Sequence, residues 1–212
     1  MLSQQQNRNS IPDYISFRGI ILASGNFISY HLSMKVIIFL LFLFSAAYLS
    51  GIETDQSLTE WNQTRLGIQK NGMIVLGTWA AANITVSAVQ LKKTRGQTRY
   101  FYQMNLFWNI INLGIASAGF VSSLTGSPAL NPDETANQYR NLTKILLINA
   151  GLDIGYMGIG VFLIQRGKIS EKRPERLSGY GYSLLLQGAF LFIFDTALAI
   201  INNSSLQDFL TS

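Results

Sequence analysis

Amide and carboxylate side chains recur at helical spacing inside four long apolar stretches of this chain. In the first stretch, Trp79, Asn83 and Ser87 fall at i, i+4 and i+8. In the second, Asn105, Asn109 and Asn112 share a face with Ala116. The third carries Asn149, Asp153, Tyr156 and Gly160, and the fourth carries Gln187, Leu191, Asp195 and Asn202. Residues three or four apart lie on one side of a helix. The groups named can donate and accept hydrogen bonds, hold a proton or hold a cation. A carboxylate surrounded by hydrocarbon is expected either to carry a proton or to hold a cation with help from amides. No lysine or arginine inside these stretches is placed to neutralise Asp153 or Asp195. The candidates for a solute or ion site are therefore Asp153, Asn83, Asn109, Asn112, Asn149, Gln187 and Asp195, with Trp79 and Tyr156 beside them.

The elements that must position these groups are membrane helices. The stretches run over about 71–91, 101–124, 144–165 and 180–202. About twenty apolar residues suffice to cross a hydrocarbon core of about 30 Å. Only 13% of the 212 residues are charged, against about 25% in ordinary soluble domains. Polar groups are costly in lipid, so each helix is expected to turn its polar stripe inward. The fold class that follows is an all-α membrane protein. It is a four-transmembrane-helix bundle of two helical hairpins, preceded by a signal peptide or a signal-anchor helix. From a rise of about 1.5 Å per residue, Asp153 is expected near the midplane. Asn83, Asn109 and Asn112 are expected at neighbouring levels, and Asp195 opposite Asn149. All of these are expected to converge on one shared polar core.

The amino-terminal part reads differently. Met34-Lys35 precedes the apolar run Val36 to Ser50, with Ser45-Ala46-Ala47 as a cleavage site and Ser50-Gly51 as a second choice. A basic start, an apolar centre and small residues make a signal peptide at 34–50; a retained anchor helix is the alternative. Residues 1–33 read as an extension ahead of a biological start at Met34, or as a disordered segment. A short periplasmic segment is expected over 51–70, the transmembrane domain over 71–202 and a periplasmic tail over 203–212.

Charge sets the orientation. Lys92, Lys93, Arg95 and Arg99 follow the first span, and Arg166, Lys168, Lys172, Arg173 and Arg176 follow the third. Lysine and arginine mark the cytoplasmic side. The mature amino and carboxyl termini are then periplasmic, in a bacterial inner membrane, as a cleaved signal peptide requires. Gly126-Ser-Pro128-Ala-Leu-Asn-Pro132 is turn chemistry, and no proline falls within a span. Both hairpins cross in the same sense and both contain a basic loop, which suggests a parallel duplication. Gly151-x-x-x-Gly155, with Gly158 and Gly160, makes a smooth face on the third helix that suits close helix approach.

Several chemistries are excluded or disfavoured. There is no cysteine, and the single histidine, His31, lies outside every span. Thiol and histidine catalysis and cysteine-ligated metals therefore have no basis within the bundle, and no cofactor is expected. No nucleophile–base pair or phosphate loop can be named, so the chain is read as a non-enzyme with no catalytic residue and no metal site. The expected partners are the lipid bilayer and either a second copy or another subunit of a membrane complex, with no nucleic acid. The reading favours binding or conduction of a small polar solute, a proton or a cation through the bundle core. The alternative is a structural or accessory subunit whose polar stripe only fixes helix registry.

Four segments carry a resemblance. They are Gly77-Thr-Trp79-Ala-Ala-Ala-Asn83, Met104-Asn105-Leu-Phe-Trp108-Asn109-Ile-Ile-Asn112-Leu-Gly114, Asn149-Ala-Gly-Leu-Asp153-Ile-Gly-Tyr156 and Gln187-Gly-Ala-Phe-Leu-Phe-Ile-Phe-Asp195. Over about 70–202 the chain resembles an uncharacterised four-span membrane protein family, a domain of unknown function frequent in Bacteroidota. The resemblance implies the fold and the membrane compartment, and no substrate or catalytic residue.

Overall fold

The computed structural model describes residues 57–212. The signal-peptide and extension readings fall outside the described residues. Four helices follow in order: α1 (Leu58–Lys93), α2 (Gly96–Thr125), α3 (Pro132–Ile169) and α4 (Pro174–Thr211). All four are long and apolar enough to cross a membrane, and the chain is an all-α membrane protein built as a four-helix bundle.

Each helix starts where local chemistry starts it. Ser57 accepts from the Glu60 amide at 3.4 Å while the Glu60 carboxylate accepts from the Ser57 amide at 2.7 Å. Asn131 and Glu134 make the same reciprocal pair ahead of α3, at 2.9 and 3.3 Å. Such boxes satisfy amides that the first helical turn leaves unpaired. Pro132 and Pro174 occupy first-turn positions, where a missing N–H costs nothing. The α1–α2 turn needs Gly96, whose φ of +60° lies in the left-handed region.

The helices run past the spans expected from hydropathy. α1 begins at Leu58 rather than near 71, α3 at Pro132 rather than near 144, and α4 reaches Thr211. At about 1.5 Å per residue, the 38 residues of α3 exceed a core of about 30 Å by several turns. Residues 58–70 and 203–211 are therefore helical continuations of α1 and α4. Polar interhelical bonds hold these extensions. Asn62 donates to Thr135 Oγ1 at 2.8 Å, Tyr139 donates to the Trp61 carbonyl at 3.0 Å, and Asn202 donates to the Tyr139 carbonyl at 2.7 Å.

α4 is the central helix. It packs along α3 and along α2, and α1 packs along α2. Glycines set the α3–α4 distance. A Cβ at Gly160 would meet the Gly181 carbonyl oxygen at 2.8 Å, and one at Gly181 would meet the Gly160 oxygen at 2.6 Å. Of the smooth face expected on α3, Gly160 alone makes such a contact. Gly151, Gly155 and Gly158 have no neighbour within 4 Å and lie on the exposed side. α2 and α3, although consecutive in the chain, have almost no backbone proximity. The gap between them is what makes room for the site.

A candidate solute site and a sealed amide ring

The polar stripe does not form one shared core. It separates into two parts at different depths.

The first part lies toward the basic loops and joins α1, α2 and α4. The Trp79 indole N–H donates to Gln187 Oε1 at 3.1 Å. Gln187 Nε2 in turn donates to Asn105 Oδ1. Asn105 Nδ2 donates to Asn83 Oδ1 at 3.0 Å and to Ser87 Oγ at 2.9 Å. Asn83 Nδ2 donates to the Trp79 carbonyl at 2.9 Å, which closes the chain into a ring. Asn109 hangs from it, donating to the Asn105 carbonyl at 2.8 Å. Trp79 is 1% exposed and stacks on Phe190, with centroids 3.9 Å apart and planes 10° apart. These side chains spend their hydrogen bonds on one another, and little remains for a ligand.

The second part lies nearer Ser57 and Ser212 and lines a cavity of about 790 Å³ between α2 and α3. Asn112 and Trp108 come from α2, Asn149, Asp153 and Tyr156 from α3, and Asp195 from α4. The walls are mainly aliphatic, with Met73, Leu76, Ile115 and Ile145 among them. At the level of Asp153, Trp108 and Tyr156 meet edge to face across the gap, centroids 4.7 Å apart. The carboxyl groups of Asp153 and Asp195 lie against each other, near enough to hydrogen-bond when a proton sits between them. Asp195 was expected opposite Asn149; its partner is Asp153. α4 runs antiparallel to α3, and Cβ atoms tilt toward a helix's own start, so the two side chains lean toward one another.

Nine buried side-chain polar atoms have no hydrogen-bond partner among the described residues, and four belong to this cavity wall: Arg65 Nε, Trp108 Nε1, Asn112 Nδ2 and Asp153 Oδ2. Asp153 is 3% exposed, Asn112 4% and Arg65 6%. A buried polar atom without a partner costs about 1–3 kcal/mol; these four atoms are closed off from the cavity surface, and their residues line it through other atoms. Among the described residues no three His, Cys, Asp or Glu side chains cluster as a metal site would.

Of the nine expected site residues, Asp153, Asn112, Asn149, Asp195 and Tyr156 line the cavity. Trp79, Asn83 and Gln187 belong to the ring, with Asn109 attached to it. The expected common level fails because Asn109 and Asn112, although one turn apart, face different compartments. Arg65, Gln69 and Gln138 were missed. A signal for them existed: positions 62, 65, 69, 72, 76, 79, 83 and 87 continue one three-and-four spacing, and all but two are buried. Reading the span from 71 cut that stripe in half.

Fold and cavity together define a polytopic helical membrane protein with a partly polar pocket between α2 and α3. The chain belongs to a family of unknown function, DUF6992, whose model matches residues 75–196. That stretch holds the ring and the acid pair and leaves Arg65 outside it. No curated protein and no solved structure matches the chain.

Proposed function

We propose that this protein binds a small solute in the cavity between α2 and α3, with the Asp153–Asp195 pair as its polar floor. One observation carries the reading: Asn112, Asn149, Asp153 and Asp195, polar side chains deep in three helices, gather on the wall of a single space. A volume of about 790 Å³ falls within the range of about 300–1,000 Å³ typical of small-molecule sites. Binding is favoured over open conduction, because passage to the other side would require the Trp79–Gln187–Asn105–Asn83 ring to break. For the ring itself the accessory reading serves best: its closed bonds fix the registry of three helices and bind nothing.

The same proposal places the protein in a bacterial inner membrane. The basic side chains at 92–99 and 166–176 sit at the end of the bundle opposite Ser57, the 126–131 turn and Ser212. Under the positive-inside rule the cavity half then faces the periplasm. The activity is binding and not catalysis, and a second copy or another subunit remains the proposed partner.

Native mass spectrometry after gentle extraction tests the reading. Ala118 lines the cavity, and Ala118→Trp would fill part of it. The wild-type protein should carry a small-molecule adduct that the folded variant lacks. Equal adducts on both, or none on the wild type, would reject solute binding at this place.

A further inference from the structure

At the basic end of the bundle the two hairpins meet along a seam between α2 and α4, and each helix brings an arginine to it. Both helices start at this end and run side by side. Gly179 sets the contact, since a Cβ there would meet the Tyr100 Cβ at 2.8 Å. The Tyr180 hydroxyl donates to Gln103 Oε1 at 3.3 Å, and the Tyr100 and Tyr180 rings stand edge to face with centroids 6.0 Å apart. Four residues before Gln103 is Arg99, and four before Tyr180 is Arg176. Residues four apart share a helix face. The two arginines therefore stand across the seam from each other, one turn nearer the loops, on helices whose axes lie about 8–10 Å apart when packed.

Both arginines are exposed, yet both are held. Arg99 Nη1 donates to the Leu91 carbonyl at 3.2 Å, and the Arg176 guanidinium lies 5.1 Å from the centre of the Tyr180 ring. Neither pairs with a carboxylate among the described residues. Seven more lysines and arginines stand at 92–95 and 166–173, against the two acids Glu171 and Glu175. The Glu175 carboxylate packs against Gly96 at the start of α2, where the helix dipole favours it. A surplus of fixed positive charge is left facing outward.

The height of the pair decides what meets it. Arg99 stands two residues before the apolar stretch that begins near 101, and Arg176 four before the one that begins near 180. At about 1.5 Å per residue, both lie within about 6 Å of the hydrocarbon. The headgroup layer is about 5–7 Å deep on each side of the core, and Tyr100 and Tyr180 stand at its inner boundary, where tyrosines anchor. An acidic protein or a nucleic acid would approach from beyond this layer, whereas a phosphate within it belongs to a lipid. Past Gln103 the same α2 face carries Phe107 and Ile110, both exposed, as an acyl chain alongside would require.

We propose that the α2–α4 seam binds an anionic phospholipid, with its phosphate between Arg99 and Arg176 and its chains along α2. A guanidinium holds phosphate oxygens through paired N–H groups, and two of them across one seam make a site where scattered lysines make only a field. The seam lies at the end of the bundle away from Ser57 and Ser212, and the proposal stands apart from solute binding.

Native mass spectrometry of the full chain in detergent, titrated with phosphatidylglycerol and with phosphatidylcholine, tests it. Phosphatidylglycerol should bind at least tenfold more tightly. Arg99→Gln with Arg176→Gln should erase that preference, and the corresponding pair of lysine substitutions should keep part of it, which controls for misfolding. Arg176→Gln alone breaks no hydrogen bond and should still weaken phosphatidylglycerol at least threefold. Lys168→Gln with Lys172→Gln removes the same charge from the same end but off the seam, and should leave most of the preference. If phosphatidylcholine matches phosphatidylglycerol on the wild type, no anionic headgroup is recognised and the proposal falls. If the lysine-to-glutamine pair costs as much as the arginine-to-glutamine pair, the attraction is diffuse and the seam is no site. If a polyglutamate peptide binds and phosphatidylglycerol does not, the surface docks an acidic protein and the lipid is overturned.

Discussion

Gln187→Met should destabilise the bundle, whereas Asp153→Asn should not, although both remove a polar group buried near its centre. Gln187 accepts from the Trp79 indole and donates to Asn105, and methionine matches its length without either function. The substitution therefore breaks two interhelical bonds and strands the almost wholly buried Trp79 indole N–H, while Asn105 Oδ1 keeps Asn109 Nδ2 at 3.4 Å. Counting bonds alone gives about 1.2 kcal/mol, at about 0.6 kcal/mol each in a membrane bundle. Adding the stranded indole, at about 1–3 kcal/mol, gives about 2–4 kcal/mol. The expected loss is thus about 2 kcal/mol or more, roughly thirtyfold in the folding equilibrium. Asp153 is different, since one of its oxygens has no partner to lose and an asparagine can donate to Asp195 without any shared proton. Its replacement should change stability by less than about 0.5 kcal/mol. Reversible unfolding in mixed micelles, followed by circular dichroism against denaturing-detergent fraction, measures both. A Trp79→Phe and Gln187→Met double-mutant cycle should show non-additivity, because the pair shares one bond. If Gln187→Met is neutral and Asp153→Asn costs as much as 2 kcal/mol or so, the division into a structural ring and a binding cavity is wrong.

Two further outcomes are expected. Gly160→Ala should lower thermal stability sharply, because its Cβ would sit 2.8 Å from the Gly181 backbone oxygen, whereas Gly155→Ala, with nothing within 4 Å, should be neutral or slightly stabilising; equal melting temperatures for the two variants would contradict the α3–α4 packing. The chain has no cysteine, so single cysteines report access cleanly. Asn149→Cys should react with a membrane-impermeant maleimide from the periplasmic face only, and Ser87→Cys, within the ring, from neither; labelling of Asn149→Cys from the cytoplasmic face alone would reverse the proposed orientation.

The four spans, their hairpin order and the inward turn of the polar stripe were legible in the sequence, because period and length in hydrocarbon are local properties of a helix. Asp153, Asp195 and Asn112 could be nominated for the same reason: polar groups that deep in a membrane helix must face protein or a cavity. The helix extensions were not read, since Arg65 and Gln69 look like loop residues when hydropathy alone bounds the span. Their burial depends on Asn62, Tyr139 and Asn202 bonding across α1, α3 and α4.

What the residues settled by themselves was that amides and acids would be buried, and on which side of each helix. Which of them would meet was a tertiary matter. Asn105 and Asn109 sit against α1 and α4, while Asn112, one turn on, opens into the gap. That difference follows from glycines drawing α3 close to α4 and leaving it apart from α2. Helix periodicity is written in one segment at a time, but the distance between two helices depends on side chains of both, so the cavity and its partnered floor exist only once all four are packed.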